Sequence, residues 1–448
     1  MYQLLTIKDF IVVPVLLMVA YLWANRVKNK NLVQSPYYRF FAWGLWAKIA
    51  AGLAFAAVYL FYYGGGDTVY YFFGSASTVK MAGKDFWAFL RLLLGDHSAE
   101  IYSLFDRSTG WPLYWRDVNS YAVSRFNIPF YLLGMGSYLG NTIVMNLFLY
   151  LGTWRFFQLL LELYPRQEKT LAGALLFIPS VVFWSSGILK DGWTLTAILF
   201  MFVAIYRLFI KRQKFWKHLF MLLFWSYIAF SIRPYIFYVS IGSGLIWLTF
   251  TAIKAIQSSF LRTIALPFVV LLAWISGAVI IAQTGELAGS RYSSLDAMLE
   301  TAWIIQDDLK KDYYGGNSFD IGTFEPTLSG VLGKAPSAIV AGLFRPFVWE
   351  GDGPLMLLSG LENLVLLLLF AWVLLKTGPF RFFSRLYHDP LILSLFVFAL
   401  TFAFFVGLTT ANFGALVRYV VPGKLFMILV VLLAYEKAKA ENEVMLKS

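Results

Sequence analysis

The residues with the clearest chemical potential lie at the ends of long apolar segments. Asp67 follows three consecutive glycines, and Lys190 and Asp191 are adjacent between two apolar runs. Ionisable groups at membrane depth are costly and by default indicate function. A carboxylate there could act as a general base, while cations could hold a phosphate and offset charge on a leaving group. We predict Asp67 as the catalytic base. The alternatives are a solvated Asp67 after a glycine-terminated helix and a snorkelling Lys190 in a hairpin turn.

Arginine close to an aromatic residue recurs at the predicted outer ends of the apolar segments. Arg presents a rigid fork of donors suited to phosphate or carboxylate, and aromatic faces suit sugar rings or acyl chains. One such pair can simply anchor a helix to lipid headgroups, but four together predict a shared anionic site. The four pairs are Arg233 with Tyr235, Arg291 with Tyr292, Arg345 with Phe347 and Arg418 with Tyr419.

The predicted site combines Asp67 as base with a set of substrate-binding residues. These are Tyr70, Lys190, Asp191, Arg233, Tyr235, Arg291, Arg345, Trp349, Glu350 and Arg418. No metal ligand set and no definite cofactor are predicted, because the chain has no cysteine and only three histidines. Binding of a divalent cation stays an open alternative, since Asp67 with Glu350 or Asp352 offers the oxygen ligands that a hard cation prefers.

The composition excludes a soluble protein. Hydrophobic residues make up 59% of the 448 and charged residues 14%, against about 45–50% and about 25% in soluble domains. We predict an all-α polytopic transmembrane helix bundle, forming one membrane domain over 1–448, from apolar runs long enough to cross a bilayer. Eleven spans are predicted: 10–24, 40–63, 138–162, 170–189, 192–210, 216–232, 234–253, 264–284, 355–375, 390–409 and 418–435.

The distribution of basic residues predicts the orientation. With the N-terminus outside and the C-terminus in the cytoplasm, the inner loops hold 19 of the 37 Lys and Arg residues, as cytoplasmic loops do. The net charge of +12 is therefore a topology signal, and a nucleic-acid partner is not expected. Two long outer segments, 64–137 and 285–354, are predicted to contain short amphipathic helices. No removable signal peptide is evident. We predict a multi-pass protein of a bacterial inner (plasma) membrane.

An outer cavity with carboxylates, Arg and Lys suits a lipid-linked phosphate substrate. The cations would hold the phosphate or pyrophosphate of a polyprenyl carrier, and Asp67 would deprotonate an acceptor hydroxyl. No phosphate-cradling G-x-x-x-x-G-K-[ST] loop and no G-x-S-x-G elbow occur in the sequence, so an ATP-driven pump and a lipase are unsupported. The expected partners are a lipid-linked sugar donor, a glycan or lipid acceptor and membrane lipids; no oligomeric state is predicted.

Three short motifs resemble the C-type superfamily of membrane glycosyltransferases (GT-C), which includes protein O-mannosyltransferases. They are Asp67 with Tyr70 in the first large outer loop, the run Pro179–Asp191 and the run Phe344–Glu350. The resemblance implies that Asp67 is the catalytic base and that the donor is a polyprenyl-phosphate-linked sugar. It implies a role in synthesis of cell-envelope polysaccharide or glycoconjugate.

A second resemblance is to O-antigen polymerases and ligases. These proteins share the number of spans, a large late outer loop and outer arginines, here Arg291 and Arg345 in 285–354. This resemblance implies transfer of a whole glycan repeat rather than one sugar. Two other classes stay open: a transporter or flippase of lipid-linked glycans, and a structural subunit of an envelope complex.

Overall fold

The computed structural model describes residues 4–258, 279, 283–285, 294–309, 311 and 318–445. Within these ranges every regular element is a helix, apart from one isolated antiparallel bridge between Ser318 and Asn412. The chain divides into two compact units: Met1–Val203 with Met221–Arg233, and Ala204–Phe220 with Pro234–Ser448. The single membrane domain over 1–448 stays a prediction.

The helices have the following bounds, in chain order. The first eleven are α1 Asp9–Leu32, α2 Arg39–Ala57, α3 Asp67–Lys84, α4 Phe86–Leu94, α5 Ala99–Ser103, α6 Val118–Leu133, α7 Tyr138–Leu163, α8 Glu168–Leu176, α9 Pro179–Trp184, α10 Lys190–Ile205 and α11 Phe215–Ile232. The others are α12 Pro234–Ala255, α13 Leu295–Leu309, α14 Leu328–Gly333, α15 Ala335–Phe344, α16 Pro354–Thr377, α17 Pro379–His388, α18 Pro390–Thr409, α19 Phe413–Tyr419 and α20 Val421–Met445. Short π-helical turns extend α2 to Tyr62 and α10 to Ile210.

Eight helices of the described ranges are long and apolar enough to cross a membrane: Asp9–Leu32, Pro36–Tyr62, Tyr138–Leu163, Lys190–Ile210, Phe215–Ile232, Pro234–Ala255, Pro354–Thr377 and Pro390–Thr409. A ninth span results if Phe413–Tyr419 and Val421–Lys439, which meet at 55°, count as one. The chain is therefore an all-α, multi-pass membrane protein, as predicted. Each of these nine matches a predicted span, and the predicted span 264–284 lies almost entirely outside the described residues.

The remaining predicted span, 170–189, is not one continuous helix. α8 ends at Leu176, and Ile178 is extended with ψ 120° before Pro179 starts α9. The reason is local, because a residue before proline is disfavoured in the helical region while proline itself suits the first helical position. α9 ends at Trp184, and irregular backbone then leads to Lys190. The apolar run thus contains a break that hydropathy alone does not reveal.

The segment 64–137, the first of the two predicted to lie outside, contains the expected short helices around a small apolar core. The apolar rhythm over 80–94 predicts one helix, but Asp85 divides it. Its backbone is extended and its Oδ1 accepts the N–H of Ala88 (2.9 Å), which caps α4. Phe86 and Trp87 are exposed on α4, as expected for a helix along a membrane face. The small core beneath comprises Met81, Ala88, Leu92, Ile101, Phe105, Trp115 and Tyr121. In the second outer segment, α13 matches the predicted amphipathic helix.

Hydrogen bonds between small polar residues hold together the interior of the first unit. α3 packs on α6, and α6 packs on α7. Asn127 and Asn141 exchange two side-chain hydrogen bonds of 2.9 Å, and Thr68 lies 2.5 Å from the hydroxyl of Tyr138. A Cβ on Gly74 would lie 2.4 Å from Ser124 Oγ. Small and hydroxyl residues let helices approach closely in apolar surroundings, where the hydrophobic effect does not drive their association.

Candidate active site

Three glycines place Asp67 at the start of α3. Gly64, Gly65 and Gly66 have φ values of +66°, +140° and +119°, which L side chains rarely adopt. A Cβ on Gly66 would also lie 3.0 Å from the ring of Tyr59. The glycines therefore turn the chain sharply after the second span, and the half-buried Asp67 is the first residue of α3.

Tyr114 holds the Asp67 carboxylate. Its hydroxyl donates to Asp67 Oδ1 at 2.5 Å, and its ring packs with those of Tyr70 and Tyr71 at centroid distances of 5.9 and 5.0 Å. Burial, followed by the negative charge of Asp67 and this hydrogen bond, raises the pKa of Tyr114 far above its ordinary value. The phenol therefore stays protonated and remains a donor to the carboxylate.

Lys190 brings a cation to the same part of the first unit. It is the first residue of α10, and its Nζ lies 3.7 Å from Asp117 Oδ2. It also interacts electrostatically with Asp67, Asp191 and Arg233. Because its side chain is 19% exposed, the ammonium is largely shielded from solvent, and its interactions with neighbouring charges are correspondingly strong.

Arg233 and Asp191 form a buried ion pair. Arg233 Nη1 donates to Asp191 Oδ1 at 2.7 Å, and the two side chains are 8% and 2% exposed. Removing one member of such a pair leaves an uncompensated buried charge, which costs about 3–5 kcal/mol. The pair therefore fixes the start of α10 against the end of α11, and so helps to position Lys190.

The loop before α6 and the start of α6 are anchored near the end of α11. Asp117 Oδ1 accepts the backbone N–H groups of Asn119 and Ser120 at 3.1 Å each, which caps α6. Asn119 Nδ2 donates to the carbonyl of Ser231 near the end of α11 (2.8 Å). These contacts position Tyr114, three residues before Asp117, beside Asp67.

A buried lysine forms hydrogen bonds with the irregular backbone between α9 and α10. Lys48, in the middle of the second span, donates from Nζ to the carbonyl and the hydroxyl of Ser185 at 2.9 Å each. Asn146 Nδ2 donates to the carbonyl of Ser186 at 2.7 Å. A Cβ on Gly187 would lie 2.5 Å from the ring of Phe55. These contacts satisfy carbonyls that the helix break exposes, as irregular backbone at membrane depth requires.

Five of the predicted site residues belong to the first unit and surround one place: Asp67, Tyr70, Lys190, Asp191 and Arg233. Five belong to the second unit and have their own contacts there: Tyr235, Arg345, Trp349, Glu350 and Arg418. Arg291 lies outside the described residues.

Arg345 is engaged by neighbours of its own unit. Its Nε and Nη2 donate to the two oxygens of Glu350 at 2.9 and 2.6 Å. Its guanidinium lies 4.6 Å from the ring centroid of Phe319 and 5.5 Å from that of Phe413. Such a bidentate, ring-flanked arginine already has its charge compensated. The geometry favours a structural role that links the segments of these two rings.

The other predicted residues of the second unit make aromatic contacts. Trp349 is 78% exposed and stacks on Phe347 with centroids 5.2 Å apart. Arg418 lies over the ring of its neighbour Tyr419 at 5.8 Å, and the ring of Tyr235 lies 6.0 Å from that of Phe402.

Sequence reasoning did not identify Tyr114 and Asp117. Both are 47 or more residues from Asp67 in the chain, so spacing along a helix does not link them to it. The available signal is Asp117 two residues before Asn119 and three before Ser120, the pattern of a helix cap in a loop that carries Tyr114. That pattern predicts the start of α6 but not its neighbours in space.

The described residues contain no group of three or more His, Cys, Asp or Glu side chains that could hold a metal ion. Asp67 belongs to the first unit, whereas Glu350 and Asp352, the acids that the sequence suggests as its partners around a divalent cation, belong to the second. Comparison with protein-family models, curated proteins and solved structures finds no match to this chain.

Proposed function

We propose that this protein transfers a sugar from a polyprenyl-phosphate-linked donor on the outer face of a bacterial inner (plasma) membrane, in synthesis of cell-envelope polysaccharide or glycoconjugate. One observation carries the proposal. A carboxylate held by a tyrosine, Asp67 with Tyr114, interacts with the shielded cation Lys190 at the end of apolar helices. A base and a cation in one place are what transfer from a phosphate leaving group requires.

In the proposed step one glycosidic bond forms, the bond to the phosphate breaks and one proton is transferred. Asp67 takes the proton of an acceptor hydroxyl while the hydroxyl oxygen attacks the anomeric carbon of the donor sugar. The bond from that carbon to the phosphate oxygen breaks, and its electron pair leaves with polyprenyl phosphate. Lys190 compensates the charge that grows on this oxygen. Tyr70 is exposed and packs with Tyr114, so it offers a ring near the carboxylate on which a sugar can stack.

The proposed orientation has the N-terminus outside and the C-terminus in the cytoplasm, because the inner loops then carry most of the Lys and Arg residues. It places Asp67 and Lys190 at the outer ends of their helices. The GT-C resemblance supports the same role for Asp67. The polymerase resemblance rests in part on Arg345 and Arg291, and the compensated charge of Arg345 gives it no added support.

The test is an in vivo glycan assay with Asp67→Asn, with membrane protein levels measured in parallel. We expect glycan output to fall at least about 100-fold, the contribution of a positioned base, with accumulation of lipid-linked precursor. Glu100→Gln is the matched control, since Glu100 is an exposed acid of the same outer segment. Full output from Asp67→Asn at normal protein level would contradict the proposal.

A specific observation favours a second candidate, a transporter of lipid-linked glycans. Transporters use broken helices to form their binding sites, and the described residues of each unit contain a broken helical segment. At the break between α9 and α10, Lys48 of α2 donates a hydrogen bond to the carbonyl of Ser185. The bend between α19 and α20 precedes Lys424, which is 1% exposed with its Nζ 3.4 Å from Glu362 Oε1.

Purified protein in proteoliposomes separates the two functions. Movement of an intact fluorescent polyprenyl-phosphate sugar across the bilayer, lost in Lys48→Met and Lys424→Met but kept in Lys30→Met, would favour the transporter. Lys30 is an exposed residue at the end of α1 and therefore controls for loss of a lysine. Release of polyprenyl phosphate only when acceptor is present would favour the transferase.

A further inference from the structure

A basic cavity lies where a membrane-crossing helix meets a short surface helix of the second unit. The span α16 ends at Thr377, Gly378 turns the chain with φ +72°, and α17 begins at Pro379. The junction forms a shallow, open cavity of about 370 Å³, lined by Lys376, Thr377, Gly378, Pro379, Phe380 and Arg381. A cavity at the end of a span is positioned at the boundary between acyl chains and headgroups.

The side chains of α17 separate into distinct faces. Phe382 and Leu386 are buried, and α17 packs against α16, α18 and α20. Phe380, Phe383 and Tyr387 are exposed and follow one stripe, at spacings of three and four residues. Phe380 is 91% exposed, which is unfavourable in water and favourable among acyl chains. This stripe is what a helix in the plane of the interface presents to lipid.

A third face of α17 is basic. Arg381, Arg385 and His388 recur at spacings of four and three residues, on a face separate from both the buried face and the aromatic stripe at about 100° per residue. Lys376 and Arg381 are exposed and form no ion pair with the described residues. The acid at the end of this helix, Asp389, is bound by Lys437 and does not compensate them. The cavity therefore has two cations available for an anion.

We propose that the junction of α16 and α17 binds the phosphate of an anionic phospholipid of the surrounding bilayer. Lys376 and Arg381 contact the phosphate from the two sides of the Gly378 turn, and Phe380 extends among the acyl chains. A zwitterionic lipid is the poorer ligand, because its own cation opposes the two basic groups. The inference does not depend on the proposed glycosyl transfer, since it uses residues of the second unit outside the candidate active site.

Lipid titration of the full chain in neutral detergent tests this site. Short-chain phosphatidylglycerol, phosphatidylcholine and glycerol phosphate are added separately, and apparent affinity is taken from the rise in Tm. The variant is Lys376→Gln with Arg381→Gln. The control is Arg26→Gln with Lys30→Gln, an exposed Arg and Lys at the end of another span.

We expect phosphatidylglycerol to stabilise the wild type more strongly than the other two compounds. Affinity should fall about 25-fold in the double variant, because each basic residue near an anionic surface contributes about fivefold, and stay unchanged in the control pair. Reversal to Lys376→Glu with Arg381→Glu should abolish the effect. The proposal would be overturned if phosphatidylcholine or glycerol phosphate stabilised the protein as much as phosphatidylglycerol does. It would also be overturned if phosphatidylglycerol had no effect, or if both double variants weakened binding equally.

Discussion

At the scale of single residues, the candidate site depends on how a carboxylate is held. A free aspartate side chain rotates, and fixing it for the reaction costs conformational entropy. A hydrogen bond that already fixes the side chain before substrate binds removes that cost from the reaction. Tyr114 supplies that bond to Asp67, and the tyrosine is itself fixed by packing with Tyr71. Tyr114 is therefore a positioning residue for the proposed base.

Replacing Tyr114 by Phe removes this bond and keeps the ring. We expect glycan output to fall about tenfold, since a hydrogen bond to a charged group contributes about 1.5–3 kcal/mol and only its orienting part is lost. Asp67→Asn should lose much more, and the double variant should be no worse than Asp67→Asn alone. An additive double variant would show that Tyr114 acts independently of Asp67. Tyr102→Phe, in the same outer segment, serves as the control.

His97 should give the small apolar core of the segment 64–137 a dependence on pH. Its ring stacks on Trp115 with centroids 4.0 Å apart, and burial, aided by the charge of Arg125, lowers the pKa of His97 below its ordinary value of 6.5. A group with a lowered pKa favours its neutral form in the folded state. Its contribution to stability is present above pH 6.5 and is lost as the pH falls through the folded-state pKa.

We therefore expect amide-exchange protection of residues 86–121, corrected for the intrinsic exchange rate, to decrease between pH 7 and pH 5. The carboxylates of Asp96, Glu100 and Asp106 should not contribute in this range, because hydrogen bonds and ion pairs lower their pKa values. His97→Gln should remove the dependence, whereas His388→Gln in the second unit should keep it. Unchanged dependence in His97→Gln would assign it to another group.

At the scale of elements, the sequence predicts well what depends on hydropathy and poorly what depends on local backbone geometry. Nine of the long helices follow from apolar length alone, because the bilayer imposes that length. The break within 170–189 escapes a prediction from hydropathy alone, although Pro179 and the serines after α9 are residues that interrupt or kink a helix. The pairing of Tyr114 with Asp67 escapes for another reason, because it depends on packing between α3 and the loop before α6.

Two glycines of the second unit determine how closely α15 and α18 pack. A Cβ on Gly342 would lie 2.2 Å from the carbonyl oxygen of Ala403, and one on Gly407 would lie 2.0 Å from that of Ala338. Both contacts are with backbone, so no side chain can move aside. Gly342→Ala and Gly407→Ala should each lower the free energy of unfolding by about 1–3 kcal/mol or more.

The control is Gly242→Ala on α12 of the same unit, where an added Cβ meets nothing within 4 Å. It should be neutral or stabilising by up to about 1 kcal/mol, since alanine is the better helix former. Thermal unfolding of purified protein in detergent measures all three variants. A Tm for Gly342→Ala equal to that of the wild type would show that the two helices separate at little cost.

At the scale of the whole molecule, the apolar helices establish a multi-pass membrane protein, and the proposed chemistry depends on which ends face outwards. The absence of cysteine makes this measurable with single introduced thiols. Arg107→Cys lies in an exposed part of the segment 64–137, which is predicted to face outwards. Lys30→Cys lies in the last turn of the first spanning helix, which is predicted to end on the cytoplasmic side. We expect an impermeant maleimide added to intact spheroplasts to label Arg107→Cys at once, and to label Lys30→Cys only after permeabilisation. The cysteine-free parent gives the background. The reverse pattern would place Asp67 and Lys190 on the cytoplasmic side, where nucleotide-activated sugars are available, and would remove the reason for a lipid-linked donor.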